Sequence, residues 1–286
     1  MKFHLAHIVP GKMFHGLNGY KEVIDTVQWG LQQLGHSAEY GLNTFSTTAT
    51  NIVFGWQMLE MDTLNDLPPE TIAYNLEQGR GWTAEGVKPQ FRIVAQRLKV
   101  WDYSAGNALL WTSLGAREVC VVPVGYAPIL KRIPKPPVQE IDVLFYGSTG
   151  QDRLNAFHGL YQTGLTTVFV AGLYGVARDE LIARSKLIVN INLYALSKMF
   201  ELVRVSYLLA NRKAVVAVVD ADTLIDQDLR SAVRISPPAQ LAEDCVRLAS
   251  DDAARASLEE AGFVVIEKRD IRQILQRAFD GGAYAN

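Results

Sequence analysis

Twice along the chain, short apolar runs of strand length alternate with amphipathic stretches of helix length, and a proline-rich break separates the two series. Chains patterned this way build parallel sheets covered on both faces, because each strand must return through a helix. In the first series Phe3 to Val9 reads as a buried strand, and Pro10, Gly11, Gly16 and Gly19 mark a turn. Tyr20 to Leu34 is then an amphipathic helix ended by Gly35. Further strands are expected at Ala38 to Tyr40, Asn51 to Gly55, Thr71 to Asn75, Lys99 to Tyr103 and Val119 to Val122, with a helical stretch at Ala105 to Leu114.

Between Val124 and Glu140 lie four of the 11 prolines, together with Lys131, Arg132 and Lys135, the composition of a solvated linker. The second series gives strands at Ile141 to Tyr146, Thr167 to Ala171, Leu187 to Asn192 and Ala214 to Val219. Helices fall at Gln151 to Tyr161, near Arg178 to Ser185, and at Lys198 to Asn211. From Ala239 onward the pattern is helical, including Ile271 to Phe279. The expected class is α/β, with two Rossmann-like doubly wound domains facing a cleft: residues 1–124, a linker at 125–140, residues 141–265, and a C-terminal helix in 266–286 that packs back.

Composition narrows the partners. The 286 residues carry 28 Lys plus Arg against 30 Asp plus Glu, a formal charge of −2, so nothing favours a nucleic-acid backbone. With 49% apolar residues the chain can bury large cores. Its two cysteines, Cys120 and Cys245, form neither a disulfide framework nor a zinc motif, which together with the polar N-terminus leads us to expect a cytoplasmic protein. No apolar run is long enough to span a bilayer.

Doubly wound sheets bind ligands beyond the carboxyl ends of their strands, which directs attention to the loops there. The first such loop reads GKMFHGLNG and the second GSTG, so the dinucleotide fingerprint is missing, as are a Walker A loop, an HExxH pair and a nucleophile elbow. Without a suitable DxD-like pair, and with Asp220-Ala221-Asp222 reading as a strand-end turn, no metal is expected. In the glycine turns, Gly16 and Gly19 permit close backbone approach, and Gly147, Ser148 and Arg153 form a turn whose backbone N–H groups and guanidinium suit an anion. Arg178, after GLYG, has a similar claim, and Lys198 is a further cation for an anion. His15, Glu22 and Glu77 are the candidate general bases, Glu77 because it directly follows a predicted strand. Trp82, Trp101, Trp111 and Tyr103 read as core aromatics.

The segment Ser197 to Asp220, SKMFELVRVSYLLANRKAVVAVVD, resembles the donor-binding segment of GT-B glycosyltransferases through Phe200, Glu201, Leu209 to Lys213 and Ala214 to Val219. GYAP at Gly125 to Pro128 and DVLFYGS at Asp142 to Ser148 are similar to the same family's domain entry and first strand, whereas Leu209 stands where many members carry a second Glu. The resemblance implies metal-independent sugar transfer from a nucleoside diphosphate sugar to an unidentified acceptor, with no cofactor beyond the donor. It gives Glu201 the ribose diol, a role that requires its carboxylate not to be buried in a salt link. A nucleotide-sugar-binding module without turnover and, less well, a nucleotide-sugar epimerase are the other readings.

Overall fold

The computed structural model describes residues 1–9, 11, 19–79, 86–193 and 198–281. The chain divides into two compact units, Met1–Ala127 with Asp270–Asn286, and Pro128–Arg269. His15, Gly16 and Trp82 lie outside the described residues.

Unit 1 runs β1 (Lys2–His7), α1 (Lys21–Gln33), β2 (Ser37–Leu42), β3 (Thr50–Phe54), α2 (Met61–Asp66), β4 (Ile72–Asn75), α3 (Pro89–Arg97), β5 (Lys99–Asp102), α4 (Ala108–Ser113) and β6 (Val119–Val121). Its six-stranded sheet has the order β2-β1-β3-β4-β5-β6, every pair parallel. In α1 the apolar Val23, Ile24, Val27 and Leu31 recur at helical spacing and are all buried. The helix stops at Gly35, whose φ of 80° suits glycine; Gly35 N–H donates to the Gln32 carbonyl and His36 N–H to that of Leu31, a Schellman closure. Trp56, Phe91 and Trp111 pack in one core with Val53, Ala73 and Val100. Trp101 and Tyr103 are also buried.

Unit 2 runs β7 (Ile141–Tyr146), α5 (Gln151–Tyr161), β8 (Thr167–Val170), α6 (Gly175–Ala183), β9 (Ser185–Ile191), α7 (Leu202–Ala210), β10 (Ala214–Val218), β11 (Arg234–Ser236), α8 (Leu241–Ser250) and α9 (Asp252–Glu267). Its parallel sheet has the order β11-β10-β9-β7-β8. β10 is apolar on both faces, as is the centre of β9 from Leu187 to Val189, because helices cover both. The closing helix α10 (Ile271–Phe279) belongs to unit 1, where it packs on α1 and sets Phe279 against Phe3 and Trp101.

Two expectations are corrected. The proline-rich segment is not wholly solvated: Lys131, Arg132 and Lys135 are exposed, but Leu130 and Ile133 are buried, and the Asn211 side-chain oxygen accepts from the N–H groups of Arg132 and Ile133, 2.8 Å each. The helix expected from Lys198 begins only at Leu202, because Met199 forms a β-bridge with Leu224 and Phe200 N–H donates to the Leu224 carbonyl.

One pH dependence follows from the fold. His7 ends β1 fully buried, with Nδ1 near the Tyr40 hydroxyl and Nε2 without a partner among the described residues. Burial, reinforced by Lys21, lowers its pKa from 6.5 to about 4. The unfolded chain therefore binds the proton more readily, so stability is full above pH 6.5 and falls as the pH drops toward 4. At roughly 1.4 kcal/mol per pKa unit the loss reaches about 3 kcal/mol. Urea unfolding between pH 7 and 4 should show this slope, and His7→Gln should flatten it.

Candidate functional site

In unit 2 the chain leaves β7 toward β8 on one side and returns to β9, β10 and β11 on the other. The reversal lies between β7 and β9, so the crevice for ligands is bordered by the loops after those strands, among the described residues 147–150, 192–193 and 198–201. α5 and α7 start beside it, and neither N-terminus is capped by a side-chain hydrogen bond among the described residues.

Four side chains organise this edge. Arg153 is buried within α5; its Nε donates to the Ile191 carbonyl at 2.8 Å, Nη1 to that of Ser148 at 2.9 Å, and Nη2 to Glu201 Oε1 at 2.7 Å. Glu201 Oε1 also accepts from the Leu193 N–H at 3.3 Å, and its Oε2 pairs with Arg204 Nη2 at 3.1 Å. The Arg204 guanidinium lies over the Tyr146 ring, 5.2 Å from its centre, and its side chain keeps 20% exposure. Lys198 pairs with Asp220 at 2.8 Å and Asp222 at 3.3 Å; the hydrogen bond it donates to Asp220 raises its pKa.

These contacts revise three expected roles. Glu201 is 13% exposed and salt-linked to two guanidinium groups, so it fails the requirement for an open diol acceptor and instead fixes Arg153 and Arg204. Arg153 lies beneath the Gly147–Ser148 turn, tying β7, β9 and α7 together, because its fork fits three acceptors there. Arg178 bonds Asp179 and covers the Tyr207 ring, about 9 Å along α7 from Glu201 by helix rise. Phe200 is buried, while Ser148 is exposed on the turn.

Arg204 carried no role in the sequence reading. The available signal was its place three residues after Glu201 at a helix start, where an ion pair can form. Gly147 is part of the same arrangement: its φ is 118°, and a Cβ there would stand 2.8 Å from Arg204 Nη2. Gly147→Ala should therefore strain the turn and push the guanidinium aside, costing about 1–3 kcal/mol of stability in urea unfolding.

A cavity of about 490 Å³ lies between α5 and α8. Ile191 and Val218 contribute to its apolar wall, and its polar lining includes Asp152, Asn192 and Asp220, the last being a Lys198 partner. Among the described residues no cluster of three or more His, Cys, Asp or Glu could hold a metal.

In unit 1 the sheet reverses between β1 and β3. Glu77 follows β4 at the carboxyl edge; its Oε1 accepts from the Tyr20 hydroxyl at 2.5 Å and Gln57 Nε2 at 2.8 Å. Its Oε2 makes no hydrogen bond among the described residues. Burial, aided by Glu77, holds the Tyr20 pKa well above its ordinary value. Gly19 is an exposed turn before α1, and Glu22 is half-buried in that helix's first turn. The structure thus brings together Gly147, Arg153, Glu201 and Arg204 in unit 2, and Glu77 with Tyr20 and Gln57 in unit 1.

Two doubly wound parallel units, with a glycine turn and a Phe-Glu helix start at the second unit's switch point, make the GT-B glycosyltransferase fold. Solved structures agree. AviGT4, a glycosyltransferase involved in avilamycin A biosynthesis, is 16% identical with a TM-score of 0.63, covering 98% of this chain and 96% of its own. Alr3699/HepE of Anabaena, in complex with UDP and glucose, is 12% identical with a TM-score of 0.62, covering 97% and 98%. An α-glucosyltransferase in complex with UDP and a 13-mer DNA containing an HMU base is 10% identical with a TM-score of 0.64, also covering 97% and 98%. At these identities the likeness establishes the fold. No protein-family model and no curated protein matches the chain.

Proposed function

We propose that the protein transfers a sugar from a nucleoside diphosphate sugar to an acceptor. The observation that carries this reading is the convergence of Arg204 with the uncapped starts of α5 and α7 on the unit 2 switch point. A guanidinium and free N–H groups are complementary to a diphosphate, and they offset the charge that builds on it as the sugar bond breaks. Lys198 adds a second cation if an arriving phosphate displaces its aspartate partners. Glu201 holds Arg204 in place. UDP is the first nucleotide to test, since it occupies the HepE and α-glucosyltransferase structures.

Unit 1 is read as the acceptor side, with Glu77 taking the acceptor's proton through its open Oε2. The reading calls for no metal and no cofactor beyond the donor. The net charge of −2 favours an acceptor other than nucleic acid. No described helix is long and apolar enough to cross a membrane; the unpaired Cys120 and Cys245 support a cytoplasmic location.

The test is incubation with UDP-, GDP- and TDP-sugars and measurement of nucleoside diphosphate release. Release from one donor class, even slowly to water, is the expected result. Tight nucleotide binding with no release would support the binding module, and an altered sugar without release would support the epimerase.

A further inference from the structure

The fully buried Asp102 is the least explained charge in unit 1. It ends β5 directly beside Asn75 at the end of β4, because the parallel register pairs the two positions. Four donors converge on its carboxylate: Asn75 Nδ2 at 2.8 Å, Asn107 Nδ2 at 2.9 and 3.1 Å, Trp111 Nε1 at 2.6 Å and the Ser104 N–H at 2.9 Å. An ionised carboxylate only accepts, so it decides which way the neighbouring amides face. With each NH2 turned toward Asp102, the amide oxygens point to the next loop. There Asn75 Oδ1 accepts from the Glu77 N–H at 3.3 Å, and Asn107 Oδ1 accepts from the Gly79 N–H at 2.9 Å. Both amide nitrogens also donate to the Glu77 carbonyl, at 3.1 and 3.0 Å.

We propose that Asp102 is a positioning residue: through the side chains of Asn75 and Asn107 it sets the backbone of the Asn75–Gly79 loop and so aims the Glu77 carboxylate. The proposal rests on the glycosyl-transfer reading for what Glu77 does, while the clamp itself stands on the geometry. Both asparagines are themselves buried, so the loop is held from inside the unit and the Glu77 side chain is left half-buried. Tyr20 and Gln57 then fix Oε1 from the other side, and Oε2 is the oxygen left for a substrate. Burial raises the Asp102 pKa to about 6, so retaining a charge here is costly. A core needing only volume would be served as well by an apolar side chain.

The experiment compares Asn107→Ala, Asp102→Asn and Glu77→Gln, alone and combined, with UDP-glucose as donor and water as acceptor. Asn107→Ala should slow UDP release by about tenfold or more while the KM for UDP-glucose changes less than about twofold. In the Glu77→Gln background the same substitution should add less than about twofold, since what it positions is already gone. Losses that multiply would show that the asparagine acts only on stability, and would overturn the proposal.

An activity-independent readout separates the clamp from the function. Carbon-13-labelled tyrosine should show Tyr20 staying protonated in the unaltered protein where ordinary tyrosines titrate. In Asn107→Ala and Asp102→Asn it should titrate at least about one pH unit lower than in the unaltered protein, because Glu77 no longer faces it. A Tyr20 titration unmoved in both folded variants would overturn the proposal even if UDP release were never seen. Failure of UDP release in the unaltered protein alone would remove the transfer reading and leave the clamp to this measurement.

Discussion

Arg153→Ala is expected to destabilise unit 2 by about 3–5 kcal/mol, the range for removing one partner from a buried ion pair. The substitution takes three hydrogen bonds among the described residues at once and leaves the carbonyls of Ser148 and Ile191, as well as Glu201 Oε1, short of a donor. Loss of the pair would be felt at the ends of β7 and β9 and at the start of α7, the three places the guanidinium joins. Urea unfolding monitored by circular dichroism gives the magnitude. The double variant Arg153→Met with Glu201→Leu should recover much of the loss, because it removes both charges. Arg204 keeps that recovery incomplete, since it too pairs with Glu201.

Arg204→Ala should behave in the opposite way, lowering UDP affinity by about 10- to 100-fold while costing under about 1 kcal/mol of stability. The side chain is partly exposed and stacks over Tyr146, so its removal opens no buried cavity. What is lost is a fork aimed across the Gly147 turn, where the diphosphate is proposed to sit. Lys198→Ala should weaken binding less, because the ammonium must first leave Asp220 and Asp222. Asp220→Asn should accordingly tighten UDP binding modestly. Titration calorimetry with UDP, paired with melting curves, separates these effects.

Much of the architecture was legible because its signals are local. The apolar run Ile141 to Tyr146 and the helical stretches Gln151 to Tyr161 and Ile271 to Phe279 match the observed elements residue for residue. The short edge strand β11 went unread, as three residues carry little pattern. The site was legible only in outline. Arg153 and Glu201 are 48 residues apart, and no periodicity reveals that one neutralises the other. The late start of α7 is a tertiary effect, imposed by the bridge from Met199 to Leu224. In unit 1, Asn75 and Asp102 each close an apolar strand, a visible oddity whose meaning came only from the register that pairs them.

The most direct test of the account is an amide NMR titration of the protein with UDP. The account predicts saturable shifts centred on Gly147 to Gln151 and Lys198 to Arg204, abolished or sharply reduced in Arg204→Ala. No binding at millimolar UDP, or shifts confined to residues far from these two loops, would contradict it.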